Sequence, residues 1–243
     1  MRVIWYAPGD GFGKPSRAAA VCRHFDDAIV VRVGREVRPL DDAGVRYLRV
    51  ERRREVPAFI EKLDGDLVVI DQRPNAPEVL SLTALKKSLY LHRFGRNFAP
   101  VPGVTIEGSR EGWVDMWPIL YSEPVFSRKL CRRMHAIPDD VHLTVVVRSV
   151  AFPDYEWPED SFEGDKWTKV LQGWPAMELL PAADRVVGAP GYNLWNEVNA
   201  LGITDVDWTV MEKRPDQKLR IGEPWRTYTG NKDKALAEYI EAL

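Results

Sequence analysis

Cysteine is scarce in this 243-residue chain: Cys22 and Cys131 are the only two, and they offer neither a disulfide framework nor paired zinc-ligand spacing. Long apolar runs are missing as well. Stretches such as residues 67–70 and 143–147 fall far short of the ~20 residues that a membrane-spanning helix needs. The opening Met-Arg-Val-Ile-Trp-Tyr-Ala-Pro has neither the apolar stretch nor the small-residue cleavage pattern of a secretory signal, so a cytoplasmic protein is expected. His24, His135 and His142 have no second ligand at metal-binding spacing, and no metal is expected. No repeat or low-complexity tract interrupts the chain, and collagen-like or disordered polymers are excluded. Nor does one sign of charge dominate, since 34 Lys and Arg face 36 Asp and Glu.

What is present is ample material for a core: 45% of residues are apolar and 10% aromatic, with nine tryptophans. The length fits one large domain or two of roughly 100–150 residues. Divided near Pro138, the charge is uneven. Residues 1–137 hold 23 Lys and Arg against 17 Asp and Glu, or +6, and the remainder holds 11 against 19, or −8. Two lobes, 1–137 and 138–243, are therefore expected to face different partners, the first the more anionic one.

β-rich runs at residues 3–7, 28–33, 45–50, 66–70 and 88–92 alternate with helical patterns at 15–25, 56–63 and 78–87. Residues 97–140 are less regular. A second strand set follows at 142–147, 166–171, 185–187 and 207–211, with a short helix at 176–181, a longer one at 192–201, and a final amphipathic helix over 231–243 that would pack back on the first lobe. Strands alternating with helices predict an α/β protein whose parallel sheets are covered on both faces.

In open parallel sheets ligands bind beyond the carboxyl ends of the strands, and glycine loops mark two such places. The first is Gly9-Asp10-Gly11-Phe12-Gly13-Lys14-Pro15-Ser16-Arg17. It is not a phosphate-binding Walker loop, because Pro15 stands where a Ser or Thr would hold magnesium. It is also a poor dinucleotide fingerprint, spaced G-x-G-x-G, with Arg32 and Arg35 where NAD would want an acid for its ribose. Arginine there would suit the extra phosphate of NADP, which keeps a reductase as an alternative. The second place runs from Ala182-Ala183-Asp184 through Gly188-Ala189-Pro190-Gly191-Tyr192-Asn193 to Glu197 and Gly202. A strand ending in such a loop presents successive N–H groups and a helix dipole to a diphosphate. Glu197, about one and a half turns into the helix, would then accept the two hydroxyls of a ribose.

The run from Ala182 to Gly202, with Asp216-Gln217 downstream, resembles the donor-binding half of GT-B-fold glycosyltransferases that use nucleotide diphosphate sugars. The residues that carry the resemblance are Gly188, Gly191, Asn193, Glu197, Asp216 and Gln217. The first lobe is similar to the acceptor half, Gly11-Phe12-Gly13-Lys14-Pro15-Ser16-Arg17 following a G-x-G-H-x-x-R pattern with Lys14 in the place of histidine. Arg148-Ser149 stands where that family often has a glycine-rich loop. The resemblance implies two Rossmann-like lobes and metal-independent, inverting sugar transfer, with no tightly bound cofactor and a nucleotide diphosphate sugar, above all a UDP-sugar, as co-substrate. It assigns Arg148, Ser149, Gly188, Gly191, Tyr192, Asn193, Glu197, Asp216 and Gln217 to the donor, and Gly11, Gly13, Lys14 and Arg17 to the acceptor.

Three residues after first-lobe strands are candidates for the general base that an acceptor hydroxyl requires: Asp10, Asp71 and His92. The basic runs Arg52-Arg53-Arg54 and 128–133 suit a polyanion, because phosphate contacts need no sequence code. DNA carrying a hydroxymethylated base, as in bacteriophage DNA modification, is the leading acceptor, ahead of lipid-linked or small-molecule acceptors. A base inside a duplex must be flipped out to be reached. A non-catalytic nucleotide- or nucleic-acid-binding module is the alternative of another class. A monomer or weak dimer is expected.

Overall fold

The computed structural model describes residues 1–71, 76–92, 103–107, 113–122, 127–148, 167–172, 176–211, 215–222 and 226–243. The chain divides into two compact units, Met1–Tyr121 with Gly230–Leu243, and Ser122–Thr229.

The first unit is a seven-stranded sheet built from β1 (Val3–Tyr6), β2 (Ala28–Arg32), β3 (Tyr47–Arg49), β4 (Leu67–Ile70), β5 (Ser88–His92), β6 (Gly103–Thr105) and β7 (Val114–Asp115). Their order is β3-β2-β1-β4-β5-β6-β7, every pair parallel. The connections carry α1 (Gly13–Cys22), α2 (Arg38–Asp42), α3 (Val56–Glu61) and α4 (Pro77–Leu85). All residues of β1, β4 and β5 are buried, as unbroken β-branched and aromatic runs require when both faces of a sheet are covered. Ile4, Val31, Ile60, Val68, Ile70 and Leu82 belong to one core cluster. The last helix, α8 (Asp233–Glu241), joins this unit. Asp233 accepts from Arg23 Nη2 at 2.6 Å and lies 2.9 Å from His24 Nε2, and Asn231 exchanges two hydrogen bonds with the Leu120 backbone.

The second unit is a four-stranded parallel sheet of β8 (Thr144–Arg148), β9 (Thr168–Gln172), β10 (Arg185–Gly188) and β11 (Asp205–Trp208), in the order β11-β10-β8-β9. Around it lie α5 (Arg128–Met134), α6 (Tyr192–Leu201) and α7 (Pro215–Gly222). Leu143, Val145, Leu180, Val186, Leu194 and Val198 are among its core residues. α6 ends at Gly202, whose φ of 66° is the left-handed value that lets a helix stop without a β-carbon clash.

The division falls at Tyr121/Ser122 rather than near Pro138, because α5 is fastened into the second unit. Arg128 and Arg132 both pair with Asp184, and Arg132 also donates to the carbonyls of Ala182, Pro138, Asp139 and Val141. The basic run at 128–133 thus contains two arginines committed to holding the fold. Divided as it folds, the chain carries 21 Lys and Arg against 19 Asp and Glu in the first unit (+2) and 13 against 17 in the second (−4). The +6 to −8 asymmetry read from the sequence largely disappears. Among the described residues, no helix is long and apolar enough to cross a membrane.

Candidate functional site

Each sheet reverses its strand order once. In the first unit the chain moves outward from β1 through β2 and β3, then returns to β4 and continues the other way, so the switch point lies between β1 and β4. In the second unit it lies between β8 and β10. Crevices at such points, outside the strands' carboxyl ends, are where this architecture binds ligands.

At the second unit's switch point β8 ends at half-buried Arg148, and β10 ends at Gly188, whose register partner on β8 is Val147. A β-carbon on Gly188 would stand 2.7 Å from Leu194 Cδ2 and 3.1 Å from the Val147 carbonyl oxygen, so glycine is what allows α6 to sit close against the strand end. The loop then bends: Gly191 N–H donates to the Ala189 carbonyl at 2.7 Å. α6 starts at Tyr192, with no side-chain cap at Gly191 and no acid in the first turn, leaving its dipole uncompensated. Tyr192 is buried and Asn193 half-buried. Ser149 lies outside the described residues.

Glu197 sits on the same helix, 5% exposed. No donor reaches its carboxylate among the described residues, and burial pushes its carboxyl up from the ordinary 4.5 to about 7. A buried carboxylate without a hydrogen-bond donor is costly. A vicinal diol, with two O–H donors, would remove that cost.

Asp216 and Gln217 fall in the first turn of α7, and both are occupied within the unit. Asp216 accepts from Arg220 at 2.9 Å, and Gln217 Oε1 accepts from the Met211 N–H at 2.8 Å. Arg220 also donates to the Pro190 carbonyl at 3.1 Å. Arg220, a residue that the sequence did not single out, therefore joins Asp216 to the 188–191 loop at Pro190. Its signal was available: an Asp and an Arg four apart on one helix form a pair. Asn196, fully buried and donating to the Tyr192 carbonyl at 2.8 Å, was also missed.

The first unit's switch point is filled differently. Arg17 of α1 and Asp71, just after β4, form a bidentate ion pair, Nε to Oδ2 at 2.9 Å and Nη2 to Oδ1 at 3.0 Å, with 1% and 0% of the side chains exposed. The residue expected to hold the acceptor and one candidate base are thus bound to each other. His92, at the end of β5, is buried edge-on to Trp113 with ring centres 5.7 Å apart. Asp10 is exposed in the loop after β1, and Gly11, Gly13 and Lys14 are half-buried. Buried Arg32 donates to the carbonyls of Ala7, Gly9 and Glu36, and Gly34, at φ 139°, crosses that loop so closely that a β-carbon would lie 2.2 Å from the Gly9 oxygen. Arg32 therefore fixes the loop from beneath and is spent on carbonyls, which removes it from the cofactor-phosphate role that the reductase alternative needed. Among the described residues, no three His, Cys, Asp or Glu side chains gather as metal ligands.

No protein-family model and no curated protein sequence matches the chain. Solved structures do match in fold. The calicheamicin glycosyltransferase CalG4 is 11% identical with a TM-score of 0.56, the match covering 100% of this chain and 90% of that one. The glycosyltransferase VinC, in complex with dTDP, is 10% identical with a TM-score of 0.55, covering 99% and 90%. A Listeria monocytogenes protein described as a UDP-N-acetylglucosamine 2-epimerase is 9% identical with a TM-score of 0.52, covering 99% and 87%. The chain has a GT-B-like α/β fold of two Rossmann-like sheets.

Proposed function

We propose that this chain is a glycosyltransferase that binds a nucleotide diphosphate sugar, a UDP-sugar first of all, at the second unit's switch point and passes the sugar to an acceptor hydroxyl. The observation that carries this reading is Glu197: a carboxylate 5% exposed that no donor reaches among the described residues, on the helix that begins directly after the 188–191 loop. Phosphates at the helix start and ribose hydroxyls on Glu197 satisfy the dipole and the carboxylate together. The fold neighbours support the same ligand class: VinC is in complex with dTDP, and the Listeria protein is described as a UDP-N-acetylglucosamine 2-epimerase.

In the proposed reaction the acceptor oxygen attacks the anomeric carbon, its proton passes to a general base, and the sugar–phosphate bond breaks with its electron pair leaving on the diphosphate. The N–H groups at the head of α6 and the Arg148 guanidinium stabilise the charge that grows there. Fixed dipoles aimed at developing charge usually supply the largest share of catalysis. Asp10 is the proposed base because it is exposed after β1, whereas Asp71 would have to surrender two bonds to Arg17. Inversion at the anomeric carbon follows from this single displacement.

The finer proposal for the acceptor is DNA carrying a hydroxymethylated base. Its support is the exposed run Arg52, Arg53 and Arg54 in the first unit, while the even charge division by unit removes the broader electrostatic argument. A panel of nucleotide sugars tested for thermal stabilisation is the first experiment, since a ligand at one hundred times its Kd stabilises the fold by ~2.7 kcal/mol. Product analysis with the stabilising donor then separates transfer to hydroxymethylated DNA, transfer to water or a small alcohol, and epimerisation of the donor itself. No stabilisation by any nucleotide sugar contradicts the proposal.

A further inference from the structure

Arg220 is one of the largest fully buried side chains, 1% exposed, on a helix whose apolar residues Leu219 and Ile221 are instead 45% and 42% exposed. Burying a guanidinium is costly unless it is paired and hydrogen-bonded. Nη1 meets that need by donating to Asp216 Oδ2 at 2.9 Å and to the Pro190 carbonyl at 3.1 Å.

The second contact decides where α6 begins. Were the helix to start one residue earlier, the Pro190 carbonyl would accept from the N–H of Leu194, four residues on. Here that carbonyl is taken by Arg220, and the helical ladder opens instead with the Trp195 N–H on the Gly191 carbonyl at 3.0 Å. The N–H groups of Asn193 and Leu194 are left without partners among the described residues. They are the donors that the 188–191 loop offers to an anion.

We infer that Arg220 is a positioning residue: by holding the Pro190 carbonyl and the Asp216 carboxylate, it keeps the first turn of α6 open for the donor's diphosphate oxygens. This rests on the donor reading above. Arg220 acts through the loop, since its charge is already met by Asp216.

The test uses the whole chain and the Arg220→Met and Arg220→Lys variants, with UDP and uridine as probes and amide exchange at Leu194 as a ligand-independent readout. In Arg220→Met the Pro190 carbonyl becomes available, so exchange at Leu194 should slow at least tenfold. UDP affinity should fall at least tenfold, while uridine, which lacks phosphates, should change less than twofold. Arg220→Lys, which keeps a cation for Asp216 but not the guanidinium fork, should recover part of the UDP affinity, and it supplies the comparison if the methionine variant does not fold. Unchanged Leu194 exchange overturns the inference whatever the nucleotide data show. Equal losses for UDP and uridine overturn it as well, since they report collapse of the site. If the wild type binds neither probe, the donor reading fails and Arg220's role with it, an outcome told apart because the parent protein is already silent.

Discussion

The two switch points of this molecule use buried charge in opposite ways. In the first unit the place between the carboxyl ends of β1 and β4 is filled by Arg17 and Asp71, joined by two hydrogen bonds in fork geometry. In the second, the corresponding place between β8 and β10 has a helix start without a side-chain cap, and on that helix a buried carboxylate that no donor reaches among the described residues. A completed pair holds a fold together. An incomplete one leaves an electrostatic cost that protonation or a ligand with hydrogen-bond donors would relieve, which is what the proposed donor site draws on.

The sharpest way to break this contrast is to open the completed pair. Arg17→Met or Asp71→Asn alone should destabilise the protein by about 3–5 kcal/mol, because each strands a buried charge, whereas Arg17→Met with Asp71→Leu should cost much less than either. Urea unfolding of the three variants measures this. Single and double variants of equal stability would show that the pair is not the plug it is taken for.

Changing Glu197 should do the reverse. Glu197→Gln should weaken UDP binding about 10–100-fold, or ~1.4–2.7 kcal/mol, yet leave the unliganded protein as stable as before or more so. The pH dependence sharpens the point. Its carboxyl is held near 7 in the folded chain against 4.5 ordinarily, so between those values the folded state keeps a proton that the unfolded state has lost. Wild-type stability should therefore fall relative to Glu197→Gln as pH rises from 4.5 through 7, and level off above. Parallel stability–pH curves for the two proteins would contradict the assignment.

Gly188→Ala probes the same site through packing. The added methyl meets Leu194 Cδ2 at 2.7 Å and the Val147 carbonyl oxygen at 3.1 Å, so about 1–3 kcal/mol of stability should be lost as α6 is pushed from β10. Stability unchanged in a denaturant titration would mean that the helix has room to spare.

The smallest expected effect concerns the acceptor. If Arg52, Arg53 and Arg54 meet duplex phosphates, each should contribute about −0.9 to the slope of log K against log salt, and replacing them with Glu should flatten that slope without altering UDP affinity. A slope near zero in the wild type would remove DNA from consideration and leave sugar transfer standing.

How legible all this was in the sequence depends on what each element buries. β1, β4, β5 and β8 were readable because they bury unbroken apolar runs, and α6 because its apolar stripe and Gly202 stop are local signals. β6 and β7, with three and two residues, are too short to show a period. α5 and α7 were missed for a different reason: their buried faces include Arg132, Gln217 and Arg220, and no hydrophobicity pattern reports a helix whose inward face is polar. β11 was expected two residues or more downstream, because its outward aspartates, Asp205 and Asp207, disguise an edge strand as a loop. The glycine loop and Glu197 could be grouped in the sequence as a candidate because their spacing is local. The commitment of Arg17 to Asp71 could not, since the two are 54 residues apart and meet only through the β1–β4 register.

One measurement reaches the central claim directly: calorimetric titration of UDP into the wild type and Glu197→Gln at pH 8, above the value near 7 at which the buried carboxyl ionises. One nucleotide should bind per wild-type chain, and at least tenfold more weakly to the variant, with both proteins equally folded. Equal affinity for the two proteins, or no binding to the wild type, would contradict the account.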